Sequence, residues 1–190
     1  MEEHSPSLAR YSGRDRVIDE LLVLSILAGE QQAVDRLGRR WSGRLLRVAL
    51  HITGEIELAE MAAQETWIGI CRNWRKLKDS GQFAPWAFGI LRHKCMDAVR
   101  RKARRRTRSM PLAEQRVTQS PARGDLKVEL NQAFEQLTPP HRTTAILYFA
   151  EQLTLAEIAA VLDRPLGTVQ SRVYHARQTL KAALSGDHNE

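Results

Sequence analysis

The sequence predicts an all-α protein made of two small helical domains joined by a flexible linker. Three observations carry that prediction. Apolar residues recur at helical spacing, and no strand-like alternation of useful length interrupts them. A stretch without periodicity, TRSMPLAEQRVTQSPARG at 107–124, divides the chain. Beyond it, LTLAEIAAVLDRPLGTVQSRVYHAR has the pattern of a helix-turn-helix.

The elements follow in order. A polar N-terminal tail, 1–16, precedes VIDELLVLSILA, which reads as a helix from Val17 to Ala28 with Gly29 as its stop. Ala33, Leu37, Trp41 and Leu45, spaced by four, put one apolar stripe on a second helix reaching Ile52, and Gly54 breaks it. A third helix is expected from Ile56 to Lys78, with Ala59, Ala63, Trp67, Ile70 and Trp74 on one face. Asp79 to Gln82 is a turn by composition. A fourth helix starts at Phe83 or Ala84, with Pro85 in its first turn, and runs into RRKARRR. These helices form one domain, 17–106, followed by the linker at 107–124. A second domain of four short helices is expected over 125–184, with a tail at 185–190. It opens at the N-cap Asp125, with Leu126, Leu130, Ala133, Phe134 and Leu137 on one face. Thr138-Pro139-Pro140 then combines a capping residue with proline in the first turn of a helix carrying Ala145, Ile146, Leu147 and Phe149.

Composition narrows the function classes. A formal net charge of +7 and a pI near 9.9 point to a polyanionic partner, nucleic acid or an anionic membrane surface. Cys71 and Cys95 stand far apart with no metal-ligand spacing, so both are expected as small buried hydrophobes in a reducing compartment. MEEHSPSLARYSGRDR lacks the apolar core of a signal peptide, and no run approaches the ~20 apolar residues of a membrane span, so a cytoplasmic protein is expected. No phosphate-cradling glycine loop, H-E-x-x-H motif or nucleophile elbow is present, which argues against an enzyme. No cofactor, metal or small-molecule substrate is expected.

The helix-turn-helix is the sharpest local signal. Thr154 and Glu157 make a T-x-x-E capping box, with Leu153 and Ile158 placed as a hydrophobic staple. Ile158 and Leu162 point inward, small Ala159 allows a close crossing, and Asp163-Arg164-Pro165 makes the turn. In the following helix Val169, Val173 and Ala176 face inward. The opposite face offers Thr168, Gln170, Ser171, Arg172, His175 and Arg177, donors suited to base edges and phosphates in a major groove. An ordinary αα-hairpin with a solvated polar face is the bland alternative.

The basic run RRKARRRTR, Arg100 to Arg108, extends a helix that already holds Arg92, His93 and Lys94, which favours phosphate contact over a merely solvated face. Trp74, Phe83 and Trp86 bracket the turn at Ser80-Gly81. Packing in the core accounts for Trp74; for Phe83 and Trp86, stacking on unpaired bases is an equal alternative. Asp97 is expected to pair with Arg101 within the helix.

Taken together, LAEMAAQETW, GQFAPWAFGILRHKCMDAVRR and LNQAFEQLTPPHRTTAILYFAEQLTLAEIAAVLDRPLGTVQSRVYHAR resemble the sigma-70 class of RNA polymerase sigma factors, in its small extracytoplasmic-function group. The resemblance spans nearly all the chain except the tails and the linker. It implies that 17–106 is a sigma region 2 bundle and 125–184 a sigma region 4 helix-turn-helix. It further implies a non-enzymatic factor whose partners are core RNA polymerase, promoter DNA and an anti-sigma factor, often membrane-bound in this group. Glu60, Gln64, Glu65 and Trp67 would dock on polymerase. Ser80, Gly81, Gln82 and Phe83, with Trp86, Arg92, His93, Lys94 and Asp97, would meet the −10 element and cradle an extruded base; Arg100 and Arg101 would hold backbone phosphates. Thr168, Gln170, Ser171, Arg172, Tyr174, His175 and Arg177 would read the −35 element. The chain departs from the family pattern at Leu58 and Met61, where acidic residues are usual, and at Gly89, His93, Gln170 and His175. The competing reading is a stand-alone dimeric helix-turn-helix regulator.

Overall fold

The computed structural model describes residues 13–108 and 132–185, and every regular element in them is helical. Helix α1 spans Gly13–Leu27, starting four residues before the expected Val17. Gly29 stops it in the left-handed region (φ 94°), its N–H bonding Ile26 O while that of Glu30 reaches Ser25 O. Helix α2, Gln31–Thr53, buries Ala33, Leu37, Trp41 and Leu45, the stripe the spacing predicted. Gly54, at φ 72°, donates to Leu50 O and ends it.

Helix α3 covers Ile56–Arg72 and ends six residues before the expected Lys78. The cause is Asn73. Its side-chain Nδ2 donates to Gly69 O at 2.7 Å, taking the carbonyl that the backbone N–H of residue 73 would need to continue the helix. That N–H turns to Ile70 O instead, and a 3₁₀ turn at Trp74–Lys76 follows. A second 3₁₀ turn, Ser80–Gln82, is capped by Asp79, whose carboxylate accepts from Gly81 N at 2.9 Å. Helix α4 then runs from Phe83 to Arg108 with Pro85 in its first turn, where a missing N–H costs nothing.

Helices α2, α3 and α4 pack on one another, and α1 lies across α2. Trp41 is the centre: its ring meets Phe83 edge-on at 4.8 Å and Phe88 at 5.3 Å, and all three are buried. Each such ring contributes roughly 1.5–3 kcal/mol of burial. Its indole N–H donates to Asp19 Oδ2 at 2.8 Å, and Arg40 and Arg44 also donate to that carboxylate, so this buried charge has the partners it requires. Cys95 is buried, and burial pushes its thiol up to about 12. Cys71, expected inside, is exposed on the last turn of α3.

In the second half, 132–135 is the described end of a helix, α5, that buries Ala133; the expected cap at Asp125 and the positions Leu126 and Leu130 lie outside the described residues. So do the linker from 109 on and the tail from 186. Helix α6 begins at Pro139 and continues past Ala145 through a π-type stretch, Ile146–Ala150. Thr138 stands at its N-cap, but the first two helical residues are prolines. The hydroxyl instead meets His141 Nδ1 at 2.6 Å. Arg142 folds back to donate to the carbonyls of Phe134, Glu135 and Leu137, tying α5 to α6. Helices α7 (Leu155–Leu162) and α8 (Leu166–Ser185) complete the fold.

The two halves are docked together. Ile146, Leu147, Leu153, Ile158, Val161 and Leu162 join the same buried cluster as Trp41 and Phe88. Helix α7 packs on α4, and α6 on α2.

Candidate nucleic-acid interface

The helix-turn-helix forms as its residues dictate. Thr154 Oγ1 accepts from Glu157 N at 3.2 Å while Thr154 N donates to Glu157 Oε2 at 2.7 Å, the reciprocal capping box. Leu153 and Ile158 are buried as its staple. Burial opposes charge on Glu157, but the Arg16 guanidinium and the bonds from Thr154 outweigh it and hold the carboxyl below its usual range. Asp163 turns the chain at φ 51°, one of the few side chains that tolerate the left-handed region. Pro165 O then accepts from Thr168 N and Val169 N, opening α8.

Val169, Val173 and Ala176 anchor α8 from below. On the far side Gln170, Ser171, Tyr174, His175 and Arg177 are exposed, and Thr168 and Arg172 are half-buried at the edge. Ser171 Oγ donates to Thr168 O, which leaves its lone pairs to face outward. Seven side chains of α8, five exposed and two half-buried, thus lie away from its buried face, and their donor-rich chemistry suits duplex edges. His141, which carries no sequence signal of its own, joins them from α6: its ring meets that of His175 edge-on at 6.1 Å. Burial, then Arg172 and His175, push its pKa down.

The second candidate surface lies on the first module. Trp74, Phe83 and Trp86 form an aromatic set with centroids 5.9–6.2 Å apart. Phe83 is only 1 % exposed and packs on Trp41, so it is the floor of this set and offers no face to a base. That resolves the two alternatives for Phe83 in favour of the core. Beside it runs a groove of about 550 Å³ lined by Lys76, Leu77, Lys78, Asp79, Gln82, Pro85, Trp86, Gly89, Ile90 and His93, with Ala160 and Val161 of α7 on its far wall. Gln82, Trp86 and His93 of the predicted set therefore share one groove. Ser80 and Gly81 do not line it; both are half-buried, and Ser80 Oγ donates to Glu20 at 3.2 Å. A Cβ at Gly89 would meet nothing within 4 Å, so the groove does not need glycine there for packing.

Along α4, Arg92 and Lys94 are half-buried, and Asp97, Arg100 and Arg101 are exposed. Asp97 does not pair with Arg101 as expected. It lies 3.7 Å from Arg100, three residues on, while Arg101 reaches across to Glu65 of α3 at 2.9 Å. Lys94 approaches the same carboxylate at 3.6 Å. Glu65 thus ties the two helices together, while Glu60 and Gln64 stay exposed beside Met61 and Ile68. Trp67 is half-buried with its indole N–H unpartnered. Among the described residues no group of three or more His, Cys, Asp or Glu could hold a metal ion, and no helix is long and apolar enough to cross a membrane.

An exposed donor face on a capped helix-turn-helix, with a cationic groove walled by Trp86 on a second helical module, defines a two-module nucleic-acid-binding protein. Comparison with known proteins makes this specific. Sigma-70 region 2 matches residues 37–105, and Sigma-70, region 4 matches residues 127–180. The ECF RNA polymerase sigma factor SigE of Mycolicibacterium smegmatis is 31% identical over 172 residues, covering 85% of this chain and 66% of that longer protein. RNA polymerase sigma-H factor of Pseudomonas aeruginosa is 27% identical, over 87% of this chain and 93% of its own length. In fold, the chain resembles the sigma factor RpoE of Bartonella quintana, solved with the anti-sigma factor NepR (TM-score 0.67, 24% identity, 81% of this chain and 98% of that one). It also resembles CnrH, solved with the cytosolic domain of CnrY (TM-score 0.56, 23% identity, 90% and 99%). The chain belongs to the sigma-70 family of RNA polymerase sigma factors, in the extracytoplasmic-function group.

Proposed function

We propose that this chain binds core RNA polymerase through the exposed face of α3, receives the −10 element in the groove beside α4, and reads the −35 element with α8. The observation that carries the reading is the grouping of Gln82, Trp86 and His93 in one groove, on a module separate from the exposed donor face of α8. Glu60 and Gln64, flanked by exposed Met61 and Ile68, give α3 a mixed polar and apolar docking face. Trp86 forms one wall for an extruded base, and His93 supplies a donor beside it. Arg92, Arg100 and Arg101 neutralise phosphates along the strand. On this reading the factor catalyses nothing itself and acts in the cytoplasm, where polymerase is.

Control by an anti-sigma factor belongs to the same proposal. One solved structure of this fold is of a sigma factor in complex with an anti-sigma factor, and another is of CnrH in complex with the cytosolic domain of CnrY. Val17, Leu21, Leu24 and Leu27 form an exposed apolar stripe along α1, of the kind a partner helix covers.

Transcription in vitro with core polymerase and three variants tests the site assignments. Glu60→Lys with Gln64→Lys should abolish core binding. Trp86→Ala should keep core binding and lose strand opening, read by permanganate reactivity of unpaired thymines. Arg172→Ala should keep both and lose promoter choice. A Trp86→Ala protein that opens promoters normally would remove the groove from the proposal.

A further inference from the structure

The turn ahead of α4 hangs between two buried anchors, Leu77 on one side and Phe83 on the other. The residues between them, Lys78 to Gln82, are exposed or half-buried, so apolar packing does not fix where they sit. Local bonds give the turn its shape. Asp79 Oδ1 accepts from Gly81 N at 2.9 Å, Asp79 O from Gln82 N at 3.0 Å, and Ser80 O from the N–H of Phe83. All three bonds lie within the turn, and none of them sets its position on the bundle.

That position is set from α1, which packs against the turn as well as against α2. Ser80 Oγ donates to Glu20 Oε1 at 3.2 Å, a side-chain bond between residues 60 apart in the chain. The other oxygen of Glu20 stands over the next residue. A Cβ on Gly81 would lie 3.8 Å from Glu20 Oε2 and 3.3 Å from Asp79 Oδ1, so two carboxylates close on a residue that must stay small.

These bonds decide which part of the turn can read a base. The N–H groups of Gly81, Gln82 and Phe83 are taken, and the hydroxyl proton of Ser80 is committed to Glu20. Gln82 is exposed and lines the groove with Trp86 and His93. Its side-chain amide both donates and accepts, as a base edge does. A hydrogen bond is lost when its atoms move apart by less than ~1 Å, so the amide works only if the turn is held in place.

We propose that Glu20 is a positioning residue for −10 recognition: by accepting from Ser80 it holds the turn so that Gln82 faces a base seated against Trp86. The proposal rests on the groove being the −10 site. It gives α1, a helix with no residue in the predicted DNA-binding sets, a part in promoter choice. It also makes Ser80 a partner of Glu20 and leaves Gln82 as the reader.

Transcription in vitro by core polymerase with the full chain tests this, on a promoter chosen by the wild-type holoenzyme and on templates substituted at each −10 base. The readout is the ratio of transcription between the original and substituted templates. A merely structural role would lower output on every template and leave that ratio unmoved. Glu20→Ala and Ser80→Ala should each reduce the ratio at one −10 position about fivefold, the scale of one hydrogen bond. The double variant should reduce it no further. Glu20→Gln should restore most of it, because its amide oxygen still accepts from Ser80. A ratio unchanged in Glu20→Ala, additive losses in the double variant, or a Glu20→Gln protein as impaired as Glu20→Ala would each overturn the positioning role. Gln82→Ala separates this from the reading beneath it. If Gln82→Ala leaves every ratio intact, the −10 assignment of the groove falls and the role of Glu20 with it. If Gln82→Ala lowers the ratio and Glu20→Ala does not, the groove stands and only the role of Glu20 falls.

Discussion

The two proposed DNA-binding faces of this protein are built in opposite ways. On α8 the donor side chains face outward: Gln170, Ser171, Tyr174, His175 and Arg177 are exposed, and Val169, Val173 and Ala176 anchor the helix beneath them. On α4 the functional surface is tied into the fold. Phe83 and Trp86 rest on Trp74, and Arg101 and Lys94 are already paired with Glu65 of α3. The difference matches the tasks. Duplex edges are read by side chains that adapt, whereas an extruded base needs a pocket whose walls do not move. Substitutions should accordingly cost stability on the first module and selectivity on the second.

The largest expected effect is on stability at Phe83. Phe83→Ala should destabilise the first module by about 3–5 kcal/mol in chemical denaturation, because it empties a site packed by Trp41 and Trp74. A loss below ~1 kcal/mol would mean the ring is not part of the core. On α8 the cost should appear elsewhere. Arg172→Ala and His175→Ala should each weaken promoter binding by about 1–3 kcal/mol while leaving denaturation midpoints and core binding unchanged. Loss of core binding by either would break the comparison.

Acid should act through His51. His51 has its pKa lowered from the usual 6.5 to about 4, by burial first and then by Arg142 of α6 and Arg47 of its own helix. A group whose pKa is depressed in the folded chain contributes stability above pH ~6.5 that is lost as pH falls toward 4. Going from pH 7.5 to 5 should lower stability in chemical denaturation, by at most ~30-fold in the unfolding constant. His51→Gln should flatten the profile. The smallest effect is expected at Glu65, whose partners Arg101 and Lys94 are exposed and half-buried. Glu65→Gln should cost at most ~1 kcal/mol of stability, and less at high salt.

What was legible in the sequence was local. The stripe at Ala33, Leu37, Trp41 and Leu45, the capping box at Thr154 and Glu157, and the outward face of α8 each follow from spacings within a few turns. Features set by one side chain against the backbone were not legible. Asn73 ends α3 by capturing Gly69 O, which nothing in the apolar periodicity announces. Asp97 sits at the right spacing for Arg101, but a carboxylate on another helix took that partner. Cys71 falls at the end of α3, where the buried stripe has already turned away. Contacts between residues far apart in the chain, such as Arg44 with Glu151 and His141 with His175, leave no periodic trace at all.

The most direct measurement of the central claim is transcription in vitro with core RNA polymerase on a library of genomic fragments, with and without the protein. Start sites that appear only with the protein, preceded by two shared sequence elements at fixed spacing, are the predicted result. Transcripts identical in both reactions, with the isolated protein binding duplex DNA tightly as a dimer, would contradict it.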